Sequence, residues 1–170
     1  MEECVSLREA FLRQASVEST DGPAPVIFAG IFLLQNRLQT ACEKLQTEIS
    51  MKQWLLLALL PRCPEPRTLT RVGKLMGCSR QNVKQLASGL ERKEFVNLVP
   101  GDGNSLLVDV TEKAERYFAR FTSVQEKTLD LLFAEFSPDE LAQALAVFGK
   151  LLEGVENVEE MAEELKEMKK

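Results

Sequence analysis

The segment from Thr68 to Val110 leaves this chain few choices of fold. Thr70 can cap a short helix whose inner face is Val72, Leu75 and Met76, and Gly77 follows where a helix end wants a left-handed residue. Two residues on, Ser79 can cap a second helix with Val83, Leu86, Ala87 and Leu90 on its inner face. Two helices joined through a tight glycine turn make a helix-turn-helix. The stretch "FVNLVPGDGNSLLVDVT" comes next, in which Val96 to Val99 and Leu106 to Val110 flank a Pro-Gly-Asp-Gly-Asn tip, a hairpin signal. Leu106, Val108 and Val110 alternate with Leu107 and Asp109, so one strand face is apolar throughout. A hairpin directly after a helix-turn-helix is a wing. The expected fold is mainly α, a winged helix-turn-helix with a small β-hairpin wing and further helices on both sides.

Those flanking helices are read from apolar spacing. From Val26 to Ile49, Ile27, Phe28, Ile31, Phe32, Leu34, Leu38, Ala41, Cys42 and Leu45 recur at helical intervals. Pro23 and Pro25 set Met1 to Thr20 apart as a further element, expected to be helical with Val5, Leu7, Ala10, Phe11 and Ala15 on one face. In "SMKQWLLLALLPRCPEP", Ser50 can cap a short buried helix that is apolar from Trp54 to Leu60 and stops at Pro61. Thr111 can cap a helix from Glu112 to about Phe136, and Ser137 with Pro138 restarts the chain in the cap and first-turn places. The last helix is expected to bury Leu141, Leu145, Phe148, Leu151 and Leu152, and to run into "ENVEEMAEELKEMKK" as a solvated helix end. This gives one domain over 1–170: a winged helix-turn-helix over 50–110, with 1–49 and 111–170 as the helical region. The end helices carry more apolar surface than a small central unit can cover, which points to a second copy of the chain.

Composition narrows the function. The chain of 170 residues is 45% hydrophobic and carries a net charge of −5, from 21 Lys and Arg against 26 Asp and Glu. Taken alone, that balance argues against a nucleic-acid partner. Its distribution argues the other way. From Arg62 to Pro100 eight basic residues (Arg62, Arg67, Arg71, Lys74, Arg80, Lys84, Arg92, Lys93) stand against three acids (Glu65, Glu91, Glu94), a local +5 that leaves −10 for the rest. Salt screens charges beyond about 10 Å, so the local balance is the one a phosphate meets. The start "MEECVSLREA" has no cationic run before an apolar one, so no leader is expected. The longest apolar run, Ala24 to Leu34, is eleven residues, against about 20 for a membrane span. The expected compartment is the cytoplasm. Cys4, Cys42, Cys63 and Cys78 form no CxxC pair and the chain has no histidine, so neither metal nor cofactor is expected. Without histidine no nucleophile–base pair suggests itself, and Gly101 and Gly103 lie in a hairpin turn rather than a phosphate loop, so no enzyme is expected.

The second helix of the pair has a face suited to base edges. Gln81, Lys84, Gln85 and Ser88 are three and four residues apart, opposite Val83, Leu86 and Leu90, with Arg80 and Asn82 beside them in the first turn. Gln and Asn bond adenine N6 and N7 bidentately, Arg forks onto guanine, and Lys and Ser reach phosphates. Thr70, Ser79 and the wing-tip Asn104 complete the candidate DNA-binding set.

The stretch "LTRVGKLMGCSRQNVKQLASGLERKEFVNLVP" followed by "LLVDVTEKAERYF" resembles the winged core of the MarR family of bacterial transcription regulators. "ISMKQWLLLALL" resembles the family's preceding helix and "LFAEFSPDELAQALAVFGKLLEGV" its last two, so the resemblance covers about Val26 to Val155. It implies a homodimer built by N- and C-terminal helices about a twofold axis, which binds double-stranded DNA and regulates transcription, as a repressor released by a small-molecule effector. It also implies a cleft for a small aromatic or phenolic effector, for which Phe28, Phe32, Trp54, Tyr117 and Phe121 are the candidates. Some relatives sense oxidants through cysteine. Here Cys63, flanked by Arg62 and Arg67, and Cys78, just before the second helix, are the candidates. In one respect the chain departs from the family, whose wings carry an Asp-x-Arg element with its Arg in the minor groove. The tip here has Asp102 but no Arg or Lys between Asn97 and Asp109. The alternatives are therefore a winged-helix module that works through protein contacts, with weak or lost DNA reading, and a cysteine-based redox-sensing regulator.

Overall fold

The computed structural model describes residues 22–45 and 48–169, so the element expected over Met1 to Thr20, and Cys4 with it, lies outside the described residues. The helices are α1 (Ala24–Leu45), α2 (Met51–Leu59), α3 (Leu69–Met76), α4 (Arg80–Glu91), α5 (Glu112–Leu132) and α6 (Pro138–Glu167). Strands β1 (Val96–Pro100) and β2 (Leu106–Val110) lie between α4 and α5. The chain forms two compact units, one reaching to Phe121 and one from Thr122 onward.

In the first unit side-chain caps set the starts of α2, α3 and α4. Ser50 accepts from the Gln53 N–H at 3.3 Å while the Gln53 side chain accepts from the Ser50 N–H at 3.1 Å, a reciprocal capping box. The α-helix ends at Leu59, just before Pro61, as its sequence suggests. The chain then tightens into a single 3₁₀ turn, Leu60–Arg62, where proline at an early turn position needs no N–H partner, and Leu60 is fully buried. Thr68, not Thr70, caps α3, accepting from the Arg71 N–H at 3.2 Å. The reason is tertiary. Val108 N–H donates to the Arg67 carbonyl at 3.0 Å and Thr68 bridges Leu107, so the chain before α3 is held extended beside β2. The earlier start puts Leu69, Val72 and Gly73 inside and turns Leu75 outward, 44% exposed, against the sequence reading.

Gly77 takes the left-handed conformation (φ 63°) and Ser79 caps α4 by accepting from the Asn82 N–H at 3.2 Å. A methyl group on Gly73 would sit 2.7 Å from the Cys78 carbonyl, so the turn can close only over a glycine. The hairpin pairs antiparallel with Val96 opposite Val110 and Pro100 opposite Leu106. Val72, Val83, Ala87, Leu90, Val96 and Val108 are fully buried, with Leu56, Leu57, Phe95 and Tyr117 completing the core around them. The helix-turn-helix and the wing thus share one apolar interior.

At the end of α4 the chain turns through Glu94, a non-glycine residue with φ 62°, while the Phe95 N–H returns to the Leu90 carbonyl at 3.0 Å. A Cβ in that region costs about 1–2 kcal/mol. Glu94 also pairs with Lys113 at 3.3 Å through an exposed side chain, a contact worth about 0–1 kcal/mol. Glu94→Gly is therefore expected to raise stability by about 0.5–1 kcal/mol, and Glu94→Ala to lower it slightly, because alanine loses the pair and keeps the strain. Urea unfolding of the two variants would show this difference in sign.

The second unit is dominated by α6. α5 ends at Leu132 rather than near Phe136, since Pro138 keeps Ser137 out of the helical region and a turn takes up Phe133 to Phe136. Ser137 then caps α6 in a box with Glu140, and the hydrogen bonds from the Ser137 N–H and hydroxyl hold the Glu140 carboxyl below its usual range. α6 continues as one helix of 30 residues, and the charged end is helical to Glu167. The expected burial of its apolar stripe is not found within the chain: Leu145, Phe148 and Leu152 are 75%, 62% and 67% exposed. The helical spacing is as the sequence indicates, and of the five residues expected to be buried only Leu151 is half-buried.

Candidate nucleic-acid interface

The core holds α4 by Val83, Ala87 and Leu90, and this sets which side chains face outward. Arg80, Gln81, Asn82, Lys84 and Gln85 are exposed together, while Ser88 is half-buried at the edge of the face. Ser79 is spent on the cap. Thr70 is exposed in the first turn of α3 and caps nothing. The exposed side chains are amide and cationic, a set that offers both donors and acceptors where a groove presents base edges.

Several arginines in the basic stretch serve the fold instead. Arg62 donates to the Ala58 carbonyl at 2.7 Å, Arg71 to the carbonyls of Glu65 and Pro66 at 2.7 and 3.3 Å, and Arg67 pairs with Glu65 at 3.3 Å. Lys93 donates to the Glu48 carbonyl at 2.6 Å. Among the described residues the side chains of Lys74, Lys84 and Arg92 have no hydrogen-bond or ion-pair partner. Lys74, exposed in the last turn of α3, is a candidate phosphate contact that the sequence reading did not single out, although it lies in the same basic run. The wing tip is closed by its own backbone, Gly101 N–H to the Ser105 carbonyl at 3.0 Å, with Gly103 at φ 64°. Asn104 is exposed there, and its carbonyl accepts from Arg80 Nη2 at 3.4 Å.

The aromatic residues proposed for an effector cleft fall into two groups among the described residues. Phe28 and Phe32 meet edge to face at 5.1 Å on the open side of α1. Tyr117 is buried, with Phe95 at 5.3 Å and Phe121 at 4.6 Å, and Trp54 and Phe121 pack half-buried against that core. Burial, then the nearby Glu48 carboxylate, raises the Tyr117 hydroxyl above its usual pKa, against an opposing effect of Arg120. A groove on α1 is lined by Asn36, Arg37, Thr40, Ala41 and Lys44, none of them among the five.

The two candidate cysteines are placed differently. Cys63 is 4% exposed within the core, its Sγ 3.8 Å from the Pro64 carbonyl, while Arg62 and Arg67 are engaged elsewhere; an oxidant has no open approach to it. Cys78 is half-buried at the helix turn. Among the described residues no group of three His, Cys, Asp or Glu side chains is placed to hold a metal, and no helix is long and apolar enough to cross a membrane.

A helix-turn-helix sharing its core with a two-stranded wing defines a winged helix-turn-helix protein, and long helices before and after it narrow the class further. No family model and no curated protein matches the sequence. Solved structures do. A MarR protein from Peptoclostridium difficile superposes with a TM-score of 0.71 at 14% identity, over 83% of this chain and 92% of that one. The MepR–DNA complex of S. aureus gives 0.64 at 20% identity, over 74% and 94%. The PcaV transcriptional regulator from Streptomyces coelicolor, solved with its natural ligand, gives 0.60 at 23%, over 72% and 91%. The chain has the MarR-type winged-helix fold.

Proposed function

We propose that this chain is a DNA-binding transcriptional regulator that works as a homodimer, with α4 as its recognition helix. The observation that carries this is the outward face of α4, where Gln81, Lys84 and Gln85 stand exposed while Val83, Ala87 and Leu90 pin the opposite side. The DNA complex of MepR, a protein of the same fold, supports the reading. The uncovered stripe of α6 and the exposed apolar residues of α1 support the dimer, with 1–49 and 111–170 as the helical dimerisation region. In this reading the protein is a repressor that leaves its operator when a small aromatic or phenolic effector binds. The ligand complex of PcaV is the support for an effector. The acidic overall balance and the Arg-less wing favour the second reading, a winged-helix module that acts through protein contacts.

Gel shifts with the DNA upstream of the protein's own gene, with and without competitor, separate the two readings. Gln81→Ala or Gln85→Ala is expected to weaken specific binding by about 1–3 kcal/mol per lost bidentate contact with non-specific binding hardly changed, and Lys84→Ala to weaken both. Wild-type affinity in the glutamine variants would remove the base-reading assignment.

A further inference from the structure

The wing is attached to α4 at two places. At the far end of the helix, Glu91 accepts the Leu98 N–H of β1 at 2.9 Å. At the near end, Arg80 spans 24 residues of sequence to donate to the Asn104 carbonyl at 3.4 Å. Arg80 and Glu91 are the first and last residues of α4, about 16 Å apart along the axis at 1.5 Å per residue. The hairpin is therefore laid along the helix and held near its middle and at its tip. The tip has no Lys or Arg between Asn97 and Asp109, and its internal bonds (Gly101 to Ser105, Ser105 to Asp102) fix only its own shape. Among the described residues Arg80 is the only side chain hydrogen-bonded to the tip from another element.

We propose that Arg80 is a positioning residue for the wing: with Glu91 it straps the hairpin along the recognition helix, so that helix face and wing tip meet DNA as one surface. The proposal rests on the DNA-binding reading above for its use, but not for its geometry. A guanidinium has five N–H donors and the Asn104 carbonyl takes one, so a phosphate in the notch between helix and wing can still be bound by the rest. The strapped arginine thereby brings to the tip the positive charge that the hairpin lacks, and while strapped it reads no base. This also accounts for a first-turn arginine being drawn sideways rather than outward with Gln81 and Lys84.

Hydrogen exchange followed by NMR on the full chain without DNA tests the strap by itself. Arg80→Ala is expected to speed exchange of the Gly101 and Ser105 amides about fivefold, the scale of one net hydrogen bond, with the Val108 and Leu90 amides unchanged. Arg80→Lys, which keeps N–H donors and the charge, is expected to restore most of the protection. Unchanged exchange at Gly101 and Ser105 in Arg80→Ala overturns the strap, whatever the variant does to DNA. The second arm is binding of a random-sequence DNA duplex at low salt. If wild type fails to bind, the functional reading falls, and the exchange data still decide the strap. If wild type binds, Arg80→Ala should weaken binding and Arg80→Lys recover it in step with exchange. Loss of binding with full tip protection would make Arg80 a plain phosphate contact and overturn the proposal.

Discussion

Phe95→Ala is expected to lower the unfolding free energy by about 3–5 kcal/mol, the range for emptying a large aromatic site in a packed core. Phe95 is 2% exposed and joins the elements that make the winged unit: it follows the turn out of α4, opens the chain into β1 and packs edge to face on Tyr117 of α5 at 5.3 Å. Lys113 Nζ lies 5.3 Å from its ring centroid on the outer side. Alanine there leaves a cavity that the fixed backbone cannot close, since the Phe95 carbonyl also accepts from the Thr111 N–H at 3.2 Å. Marginal domain stability is about 5–15 kcal/mol, so the variant should lose much of its folded population near 37 °C. Urea midpoints measured beside Phe148→Ala make the check. Phe148 is 62% exposed in the single chain, and at concentrations where the chain is monomeric its removal should cost well under 1 kcal/mol. Equal costs for the two would mean that the core does not lie where Phe95 sits.

The second large effect concerns assembly. Leu145→Glu with Phe148→Glu is expected to convert the proposed dimer of twice 19.1 kDa into a folded monomer and to weaken the proposed operator binding by at least about 100-fold, because the second half-site is then no longer held at high effective concentration. Each of these side chains gains about 1.5–3 kcal/mol when covered, and twofold symmetry counts it on both copies. Replacing them by carboxylates removes that gain and adds the cost of burying charge. The fold itself should survive, since both positions are open in the isolated chain. Light scattering at micromolar concentration reads the mass, and circular dichroism confirms the helices. A variant that remains dimeric would show that the α6 stripe is not the interface.

What could be read from the sequence was whatever rests on near neighbours. The Ser50, Ser79 and Ser137 caps, the left-handed Gly77, the hairpin and its alternation each depend on residues a few places apart, and each stands in the structure where its pattern puts it. The errors came where a distant segment decided. Thr68 outcompetes Thr70 as a cap because β2 holds the chain before α3 extended, and no spacing within "TLTRV" records that contact. The basic run was legible as charge but not as use, since the sequence does not tell an arginine tied to a carbonyl, such as Arg62 or Arg71, from a lysine left open, such as Lys84. The placement of the aromatic and cysteine candidates was hidden for a related reason. Helical spacing says that Tyr117 and Phe28 each lie on an apolar face, but not whether those faces meet, and a thiol between arginines can still point inward, as Cys63 does.

By itself, the sequence determined that this chain makes a helix-turn-helix with a wing and which side of α4 is polar, because helix period, strand period and capping chemistry are local and strong. Only the tertiary structure decided which side chains stay free on that polar face and which are drawn into the fold. Burial and pairing depend on segments that approach each other across the core: Arg80 to Asn104 across 24 residues and Lys93 to Glu48 across 45 are contacts that no local pattern encodes.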